Sequence, residues 1–494
     1  MGDDQRRQGV AKLETGIPGF DFVSKGGLPA GRTSLMSGTA GSGKTIFAAQ
    51  FLAEGVHRGE SGVFVTFEEP PDAIQANLAS FGWDIPAWER EGRWAFVDVS
   101  PRTSEEEIIA GSYDLGALIP RVEYGVQKVG ASRVVIDSLA AFKTQFSDQS
   151  LVRHALFSLT VALRRLGVTA LITAERTDEY GDIARYGVEE FVADTVMVLR
   201  NALEGDKRRR TVEIVKMRGT SHHAGEFPFT ISAESSGVVV VPLAAIDLNQ
   251  VSSGERITTG SADLDAMCNG GVYRDTISLV TGPTGTGKTL VASHFIGGGQ
   301  AFGDRCLLVA FEEGRQQLMR NAAGWGLDFE GMEAAGLLRI EAAYPETRAL
   351  EDHLVRLKAL IDVFQPHRLV IDSLSALERV SGRRGFKEFV IALVAFIRAG
   401  RTAALLTANS PSLRGGESAT EAQISSMTDT IILLRYVEWQ ARIRRGLTVL
   451  KMRGSNQDKH VREYTIDDQG LHIHEPLVGP DGDWLGLGAP SSEV

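Results

Sequence analysis

One block of sequence occurs twice in this chain of 494 residues, and the duplication is the strongest constraint on its fold. The segment Gly38-Thr-Ala-Gly-Ser-Gly-Lys-Thr45 recurs 244 residues later as Gly282-Pro-Thr-Gly-Thr-Gly-Lys-Thr289. Three further features recur in the same order: Glu68-Glu69 with Glu312-Glu313, Asp137 with Asp372, and Lys216-Met-Arg-Gly219 with Lys451-Met-Arg-Gly454. An ordered repeat of this length predicts two homologous domains.

Strand and helix signals alternate within the repeat. In the first unit the pattern predicts strands over residues 32–37, 62–67, 133–136, 169–173 and 195–199, and helices over 45–58, 71–81 and 151–166. This alternation predicts an α/β fold, a mostly parallel sheet flanked by helices on both faces. We place the domains at residues 1–247 and 248–475, followed by a Gly- and Pro-rich tail over residues 476–494.

Composition excludes several classes of protein. Hydrophobic residues make up 43% of the chain and charged residues 23%, as in globular proteins that are not coiled coils or collagens. No apolar run approaches the roughly 18 residues of a membrane-spanning helix, and the N-terminus does not resemble a signal peptide. The only cysteines are Cys268 and Cys306, which favours a reducing, cytoplasmic location. The net charge of −11 makes nucleic-acid binding unlikely on electrostatic grounds.

Both Gly-rich segments match the phosphate-binding loop pattern GxxxxGK[ST]. Its glycines let backbone N–H groups surround phosphates, its lysine contacts the β- and γ-phosphates, and its threonine hydroxyl binds Mg²⁺. The expected ATP-binding residues are Gly41, Ser42, Gly43, Lys44 and Thr45 in the first domain, and Gly285, Thr286, Gly287, Lys288 and Thr289 in the second. Two complete matches inside a repeat argue against a chance glycine-rich turn.

Acidic residues end apolar strands in both domains. Asp137 and Asp372 are expected to hold Mg²⁺ with Thr45 and Thr289, although an Asp before a Ser also caps helices. The two glutamate pairs are candidate catalytic bases, Glu68, Glu69, Glu312 and Glu313, with Glu312 a further candidate for the Mg²⁺ site. A solvated strand end is the alternative for each pair, and the sequence does not distinguish the working member.

The two Lys-Met-Arg-Gly segments follow late strands, far from the P-loops in sequence. A basic pair without a local acid can act like an arginine finger on the nucleotide of a neighbouring subunit. A hairpin with solvated charges explains the same residues equally well.

Taken together, these motifs resemble the KaiC family of circadian-clock ATPases. The most specific stretches are Gln423-Ile-Ser-Ser-Met-Thr-Asp-Thr-Ile-Ile-Leu-Leu-Arg-Tyr-Val-Glu438 and Lys451-Met-Arg-Gly-Ser455, and the resemblance extends from about Glu14 to about His474. It implies two tandem RecA-like P-loop NTPase domains in a homohexamer of two stacked rings, with ATP and Mg²⁺ between subunits. The first ring would hydrolyse ATP, and the second would be a serine/threonine autokinase.

The resemblance also assigns residues. It implies that ATP is contacted from the neighbouring subunit by Lys216, Met217, Arg218, Gly219, Thr220 and His222 in the first ring, and by Arg445, Lys451, Met452, Arg453 and Ser455 in the second. Ser80 and Trp325 match residues that line the adenine pocket.

The implied phosphorylation sites are Ser425 and Ser426, where the family has Ser followed by Thr; Thr420 also matches a family hydroxyl. Aligning the repeats places Glu190 and Phe191 opposite the two serines, so only the second domain has hydroxyls there. A polar turn before a strand is the alternative interpretation.

Two other functions share these motifs. A RecA-like DNA recombinase or helicase would have the same P-loops but predicts a basic channel with aromatic platforms. An ATP-driven signalling scaffold outside a clock, with two-component signalling proteins as partners, would share the enzyme and differ only in its partners. The C-terminal segment that recruits an activator in the clock proteins is largely missing from the short tail, which places a complete oscillator in doubt.

Overall fold

The computed structural model of the chain describes residues 10–99, 115–139, 149–183, 193–204, 207–233, 237–242, 252–410, 424–439 and 442–477. It divides into two compact units, Met1–Pro242 and Leu243–Val494. The expected boundary at residues 247–248 and nearly all of the expected tail lie outside the described residues, so both stay predictions.

The first unit is built on a nine-stranded sheet in the order β11-β10-β9-β8-β3-β7-β6-β4-β5. Strands β3 to β8 pair in parallel, and β8 to β11 form an antiparallel extension. The strands of this unit are β1 Lys12–Leu13, β2 Leu28–Pro29, β3 Thr33–Gly38, β4 Gly62–Thr66, β5 Trp94–Asp98, β6 Arg133–Asp137, β7 Thr169–Glu175, β8 Thr195–Glu204, β9 Lys207–Met217, β10 Glu226–Ser232 and β11 Gly237–Val240.

Helices cover both faces of this sheet. Along β4, Phe64 packs into one apolar cluster while Val63 and Val65 pack into another on the opposite face, as expected for a parallel strand buried on both sides. The helices are α1 Phe20–Val23, α2 Lys44–His57, α3 Pro71–Leu78, α4 Ile85–Arg90, α5 Leu115–Val129 and α6 Gln149–Arg165.

The second unit repeats the same topology, in the order β16-β15-β17-β18-β14-β19-β20-β21-β22. Its strands are β12 Arg256–Ile257, β13 Val272–Tyr273, β14 Ile277–Gly282, β15 Cys306–Ala310, β16 Leu338–Ala342, β17 Arg368–Asp372, β18 Ala403–Asn409, β19 Thr430–Trp439, β20 Arg442–Met452, β21 Arg462–Asp467 and β22 Gly470–Pro476. Its helices are α7 Ala262–Met267, α8 Lys288–Gly297, α9 Arg315–Gly324, α10 Phe329–Ala334, α11 Leu350–Phe364, α12 Leu374–Arg379 and α13 Arg383–Ala399. The predicted α/β class and the duplication are therefore confirmed.

Two predicted element ends differ from the structure. Strand β8 continues to Glu204, five residues beyond its predicted end, because it forms a long hairpin with β9 outside the parallel part of the sheet. The helix predicted over residues 71–81 ends at Leu78 and continues as a 3-10 turn over Ala79–Phe81. Among the helices within the described ranges, none is long and apolar enough to cross a membrane.

A buried arginine attaches the P-loop helix to the sheet in each unit. Arg133 is 1% exposed, pairs with Glu60 at 2.6 Å and donates to the carbonyl of Phe51 at 2.9 Å. Arg368 is fully buried, pairs with Asp304 at 2.8 Å and donates to the carbonyl of Phe295 at 2.9 Å. Burying an arginine requires such partners, so the pair fixes where helices α2 and α8 lie.

At one position of these two helices, the first unit has an amide side chain and the second unit has an imidazole. In the first unit the Gln50 amide donates to the carbonyl of Val238 at 3.1 Å and accepts from its N–H at 2.6 Å. In the second unit the equivalent residue is His294, whose Nε2 accepts from the N–H of Leu471 at 3.3 Å. A buried imidazole can accept this bond only while Nε2 is unprotonated.

We expect His294 to make the second unit acid-sensitive. Burial lowers the pKa of His294, with His472 acting in the same direction against a backbone bond to Gly260. The unfolded chain therefore binds a proton more readily than the folded chain does. The contribution of His294 to the free energy of unfolding is complete above the unfolded pKa of about 6.5. It decreases as the pH falls below that value, by at most about 1.4 kcal/mol per pH unit. His294→Gln, which copies Gln50, should flatten this dependence in thermal unfolding measured from pH 5 to 8.

The reciprocal change provides the control. Gln50→His should introduce the same acid sensitivity into the first unit, because it places an imidazole against the N–H of Val238. Identical pH profiles for the parent chain and His294→Gln would contradict the assignment.

Candidate active site

The first P-loop connects β3 to α2 and is folded as its sequence predicts. Gly41 and Gly43 have φ of 73° and 94°, a backbone conformation that side chains disfavour. A Cβ on Gly43 would also lie 2.6 Å from Cδ1 of Ile231, so a side chain there would displace the end of Ile231 in addition to straining the backbone. The Ser42 hydroxyl closes the loop by donating to the carbonyl of Thr39 at 2.8 Å.

The second P-loop, between β14 and α8, has the same construction. Gly285 and Gly287 have φ of 82° and 96°, and the Thr286 hydroxyl donates to the carbonyl of Pro283 at 2.8 Å. In both loops the lysine is folded back over the loop: Nζ of Lys44 and of Lys288 each donates to two loop carbonyls at 2.9 Å. Burial lowers the pKa of both lysines. A polyphosphate bound in either loop would therefore contact an ammonium group that has already lost much of its hydration.

The P-loop threonine contacts the strand-end aspartate in each domain. Oγ1 of Thr45 donates to Oδ2 of Asp137 at 2.7 Å, and Oγ1 of Thr289 donates to Oδ2 of Asp372 at 2.8 Å. The structure therefore brings together two expected Mg²⁺ residues that lie 92 and 83 positions apart in the sequence. Each hydrogen bond places the hydroxyl and the carboxylate side by side next to the P-loop, as a shared Mg²⁺ site would require, and the Mg²⁺ role stays a prediction.

These oxygen donors fit Mg²⁺. The ion is usually held by one or two carboxylates together with substrate phosphates rather than by a cage of protein ligands. No cluster of three or more His, Cys, Asp or Glu side chains suited to a metal occurs in the described part of the chain. Burial raises the pKa of Asp372, while bonds from Thr407 and Thr289 oppose the rise, so a divalent cation there would favour the ionised form.

The glutamate pairs follow β4 and β15 at the same edge of each sheet. In the first domain, Ser138 donates to Glu68 Oε1 at 2.9 Å, and Asn77 donates to Glu69 at 3.1 Å. Both glutamates are exposed, and each accepts one hydrogen bond from a neighbouring segment, so their catalytic role stays a prediction.

The second domain holds its pair differently. Glu312 forms an ion pair with Arg379 at 3.0 Å, and Asn321 donates to Glu313 at 3.0 Å. Burial raises the pKa of Glu313, and Asp372 raises it further. A carboxylate with a raised pKa is a stronger proton acceptor, so Glu313 is a candidate general base.

Both Lys-Met-Arg-Gly segments lie at the edge of the sheet opposite their own P-loop. Met217 pairs with Thr195, and Thr195 pairs with Ser34 at the start of β3, whereas the P-loop follows the end of β3. Met452, Thr430 and Ser278 repeat this register. Six residues of strand separate the two edges, about 20 Å.

Most residues of the two Lys-Met-Arg-Gly segments make local hydrogen bonds. Nζ of Lys216 donates to the carbonyl of Ala193 at 3.0 Å, and the Arg218 N–H donates to the carbonyl of Asp194 at 2.9 Å. The turn continues through Gly219 and Thr220 to His222, whose ring bonds the carbonyl of the next residue at 3.0 Å. In the second domain Ser455 accepts from Arg256 at 2.5 Å.

Arg445 does not lie with Lys451 and Arg453. It pairs across the hairpin with Tyr436, whose hydroxyl donates to the P-loop carbonyl of Thr284 at 3.3 Å. Arg445 therefore lies beside the P-loop of its own domain, with its Nε buried and lacking a hydrogen-bond partner among the described residues. The expectation that Arg445 contacts a neighbour's ATP stays a prediction, and its position also allows contact with the nucleotide of its own domain.

Arg210 is not among the site residues predicted from the sequence. It is the first-domain equivalent of Arg445, and its Nε donates to the carbonyl of Gly41 at 3.5 Å. The offset of 235 residues between the repeats could have identified it.

The remaining expected residues occupy turns. Ser80 lies exposed in the 3-10 turn after α3, and half-buried Trp325 ends α9 and packs against the core. Ser425 is half-buried and Ser426 exposed, in the turn immediately before β19. Their first-domain equivalents Glu190 and Phe191, and also Thr420, lie outside the described residues.

Comparison with known proteins agrees with this geometry. A family model described as the KaiC ATPase matches residues 13–245 and again residues 257–478. The chain belongs to the KaiC family. It is 58% identical over 479 residues to the circadian clock protein KaiC3 of Synechocystis sp., covering 97% of this chain and 95% of that protein. It is also 48% identical over 474 residues to the circadian clock oscillator protein KaiC of Synechococcus elongatus, covering 96% and 91% respectively.

We expect this KaiC-family chain to bind two nucleotides, one at each P-loop. Lys44→Met and Lys288→Met should each reduce the number bound per chain from two to one, because each removes the cation facing the phosphates of one loop. Equilibrium dialysis with Mg²⁺ and a non-hydrolysable ATP analogue measures this number, and each variant is the control for the other. Two nucleotides bound by both variants would contradict the assignment.

Proposed function

We propose that the chain is an ATP-hydrolysing, self-phosphorylating protein that acts as a homohexamer of two stacked rings. The first domain is mainly the ATPase, and the second is a serine/threonine autokinase that phosphorylates Ser425 and Ser426. The observation that carries this proposal is the difference between two otherwise equivalent sites. Both have the lysine, threonine, aspartate and glutamate pair, whereas only the second domain has hydroxyls before its late strand.

The site residues divide the chemistry of phosphoryl transfer. Lys44 and Lys288 would bind the β- and γ-phosphates, and the Thr45–Asp137 and Thr289–Asp372 pairs would hold Mg²⁺, which neutralises phosphate charge. In the first domain Glu68 or Glu69 accepts a proton from the attacking water.

In the second domain the serine hydroxyl oxygen forms the bond to the γ-phosphorus, and the bond to the bridging oxygen of ADP breaks. The serine proton passes to Glu312 or Glu313. The raised pKa of Glu313 supports that residue as the acceptor.

The position of Lys-Met-Arg-Gly supports assembly. Because each segment lies about 20 Å from the P-loop of its own domain, any nucleotide that it contacts is bound at a different P-loop, and we propose that this P-loop belongs to a neighbouring chain. A closed ring supplies every site with such a neighbour.

The names of the relatives support a role in timing. We infer a clock or related signalling function, with clock or two-component signalling proteins as partners. DNA processing is less compatible with a net charge of −11. A gel shift with ATP at physiological salt tests that alternative directly.

The two glutamate pairs should separate the two activities. Glu68→Gln with Glu69→Gln should lower steady-state ATP hydrolysis by roughly 10²-fold or more, since general-base removal has effects of that order. Phosphate on Ser425 and Ser426 should persist. Glu312→Gln with Glu313→Gln should instead abolish that phosphate, measured by site-resolved mass spectrometry after incubation with Mg-ATP.

Each double variant is the matched control for the other. Wild-type hydrolysis in the first double variant would show that the first ring is not the main ATPase. Phosphate found only within residues 1–247 would refute the autokinase assignment.

Nucleotide should drive assembly to about six chains, as measured by light scattering with Mg-ATP. Arg218→Ala and Arg453→Ala should weaken hydrolysis or assembly while both P-loops stay intact, and loss of a comparable arginine costs roughly 10³-fold in related enzymes. A stable monomer that hydrolyses ATP at the parent rate would contradict the contribution of a neighbouring chain.

A further inference from the structure

Four successive backbone carbonyls in the candidate acceptor turn accept hydrogen bonds from cationic side chains. Lys451 Nζ donates to the carbonyl of Ser425 at 2.7 Å and to that of Thr428 at 2.8 Å. Arg453 donates to the carbonyl of Ser426 at 2.7 Å, and Arg398 donates to the carbonyl of Met427 at 3.0 Å. Three cations from two other elements thus hold the four-residue turn 425–428.

The backbone of the turn explains why its carbonyls need these partners. The N–H groups of Met427 and Thr428 both donate to the carbonyl of Ile424, at 2.9 and 3.1 Å, as at a helix C-terminus. The last carbonyls of a helix lack intrahelical donors in general, and cations are favourable there. Lys451 and Arg453 come from the end of β20, so they join the turn to the sheet.

Asp429 fixes the other end of the turn. Its N–H donates to the carbonyl of Ile277 at 2.8 Å, and its Oδ2 accepts from the N–H of Ile277 at 3.0 Å. Arg398 contacts the same carboxylate at 3.0 Å. The turn is therefore held between a strand start and two side chains of the Lys-Met-Arg-Gly segment.

The first domain uses part of this arrangement. Lys216 donates to the carbonyl of Ala193, the equivalent of Thr428, and Arg164 pairs with Asp194 at 2.8 Å, as Arg398 does with Asp429.

We propose that Lys451 and Arg453 are positioning residues for the phosphorylated serines, holding the backbone of Ser425 and Ser426 so that their hydroxyls are presented in one orientation. This inference rests on the proposed autokinase function. An ammonium has three donors and a guanidinium five, so these bonds leave donors for a phosphate. Lys451 or Arg453 can therefore hold the backbone of the serines and contact a neighbour's nucleotide at the same time. Such a double contact would fix the distance between the serines and that nucleotide.

The first test measures amide hydrogen exchange in the turn without nucleotide, so that contact with a neighbour's ATP cannot contribute. Lys451→Met and Arg453→Met should speed amide exchange in residues 424–430 by roughly tenfold or more, because each removes charged hydrogen bonds that hold the turn closed. Lys451→Arg should largely restore protection. Lys216→Met, the same change in the first domain, should leave this segment at the parent rate.

The second test measures the phosphorylated sites with Mg-ATP. Lys451 holds the carbonyl of Ser425 and Arg453 that of Ser426, so Lys451→Met and Arg453→Met should shift the Ser425:Ser426 phosphate ratio in opposite directions. Total phosphate should fall on the order of 100-fold, since a displacement of about 1 Å has effects of that size.

The outcomes separate this inference from the function on which it rests. A parent protein that never acquires phosphate on either serine refutes the autokinase proposal. A parent that is phosphorylated, with variants that keep its exchange rates and its Ser425:Ser426 ratio, refutes the positioning role alone. A lower phosphate level with an unchanged ratio and unchanged exchange would assign Lys451 and Arg453 to the neighbour's nucleotide only, which also overturns the inference.

Discussion

Burial of the central parallel strands on both faces is the constraint on which the rest of each domain depends. Strands such as β4 and β6 carry apolar side chains in both directions, so polar chemistry is excluded from their length. It is concentrated where the strands end, and parallel pairing brings those ends to one edge. The Thr45–Asp137 bond is the direct result, because it joins the first turn of α2, which follows β3 and its P-loop, to the end of β6.

On this shared frame the two domains differ at a few side chains that do not change the fold. Glu68 accepts from Ser138, whereas Glu312 pairs with Arg379. That ion pair is partly exposed and therefore contributes little stability, so its consequence is the orientation of Glu312 rather than the energy of the fold. Differences of this kind allow one duplicated site to hydrolyse ATP while the other phosphorylates protein, as proposed above.

Features that depend on local sequence or on the internal repeat could be predicted from the sequence. Contacts between segments that are distant in the sequence could not. The P-loop glycines, the buried strands and the duplication follow from spacing and periodicity. The pairing of Arg445 with Tyr436 could not be predicted, because it depends on the register of the β19–β20 hairpin. The buried Arg133–Glu60 pair was also missed, because a charged residue at a strand start looks like a solvated end until the helix above it is placed.

The register of the β19–β20 hairpin also determines where the acceptor turn and the Lys-Met-Arg-Gly segment lie relative to the P-loop. Strand β20 runs antiparallel to β19, so it carries Arg445 past the P-loop at one edge and delivers Lys451 and Arg453 to the opposite edge, about 20 Å away. The acceptor turn precedes β19 at that same opposite edge. Within one chain the serines are therefore as far from the P-loop of their own domain as Lys451 is. A phosphate from that P-loop cannot reach them without rearranging the sheet, so the proposed self-phosphorylation would use the nucleotide of a different P-loop, which in the proposed ring belongs to a neighbouring chain.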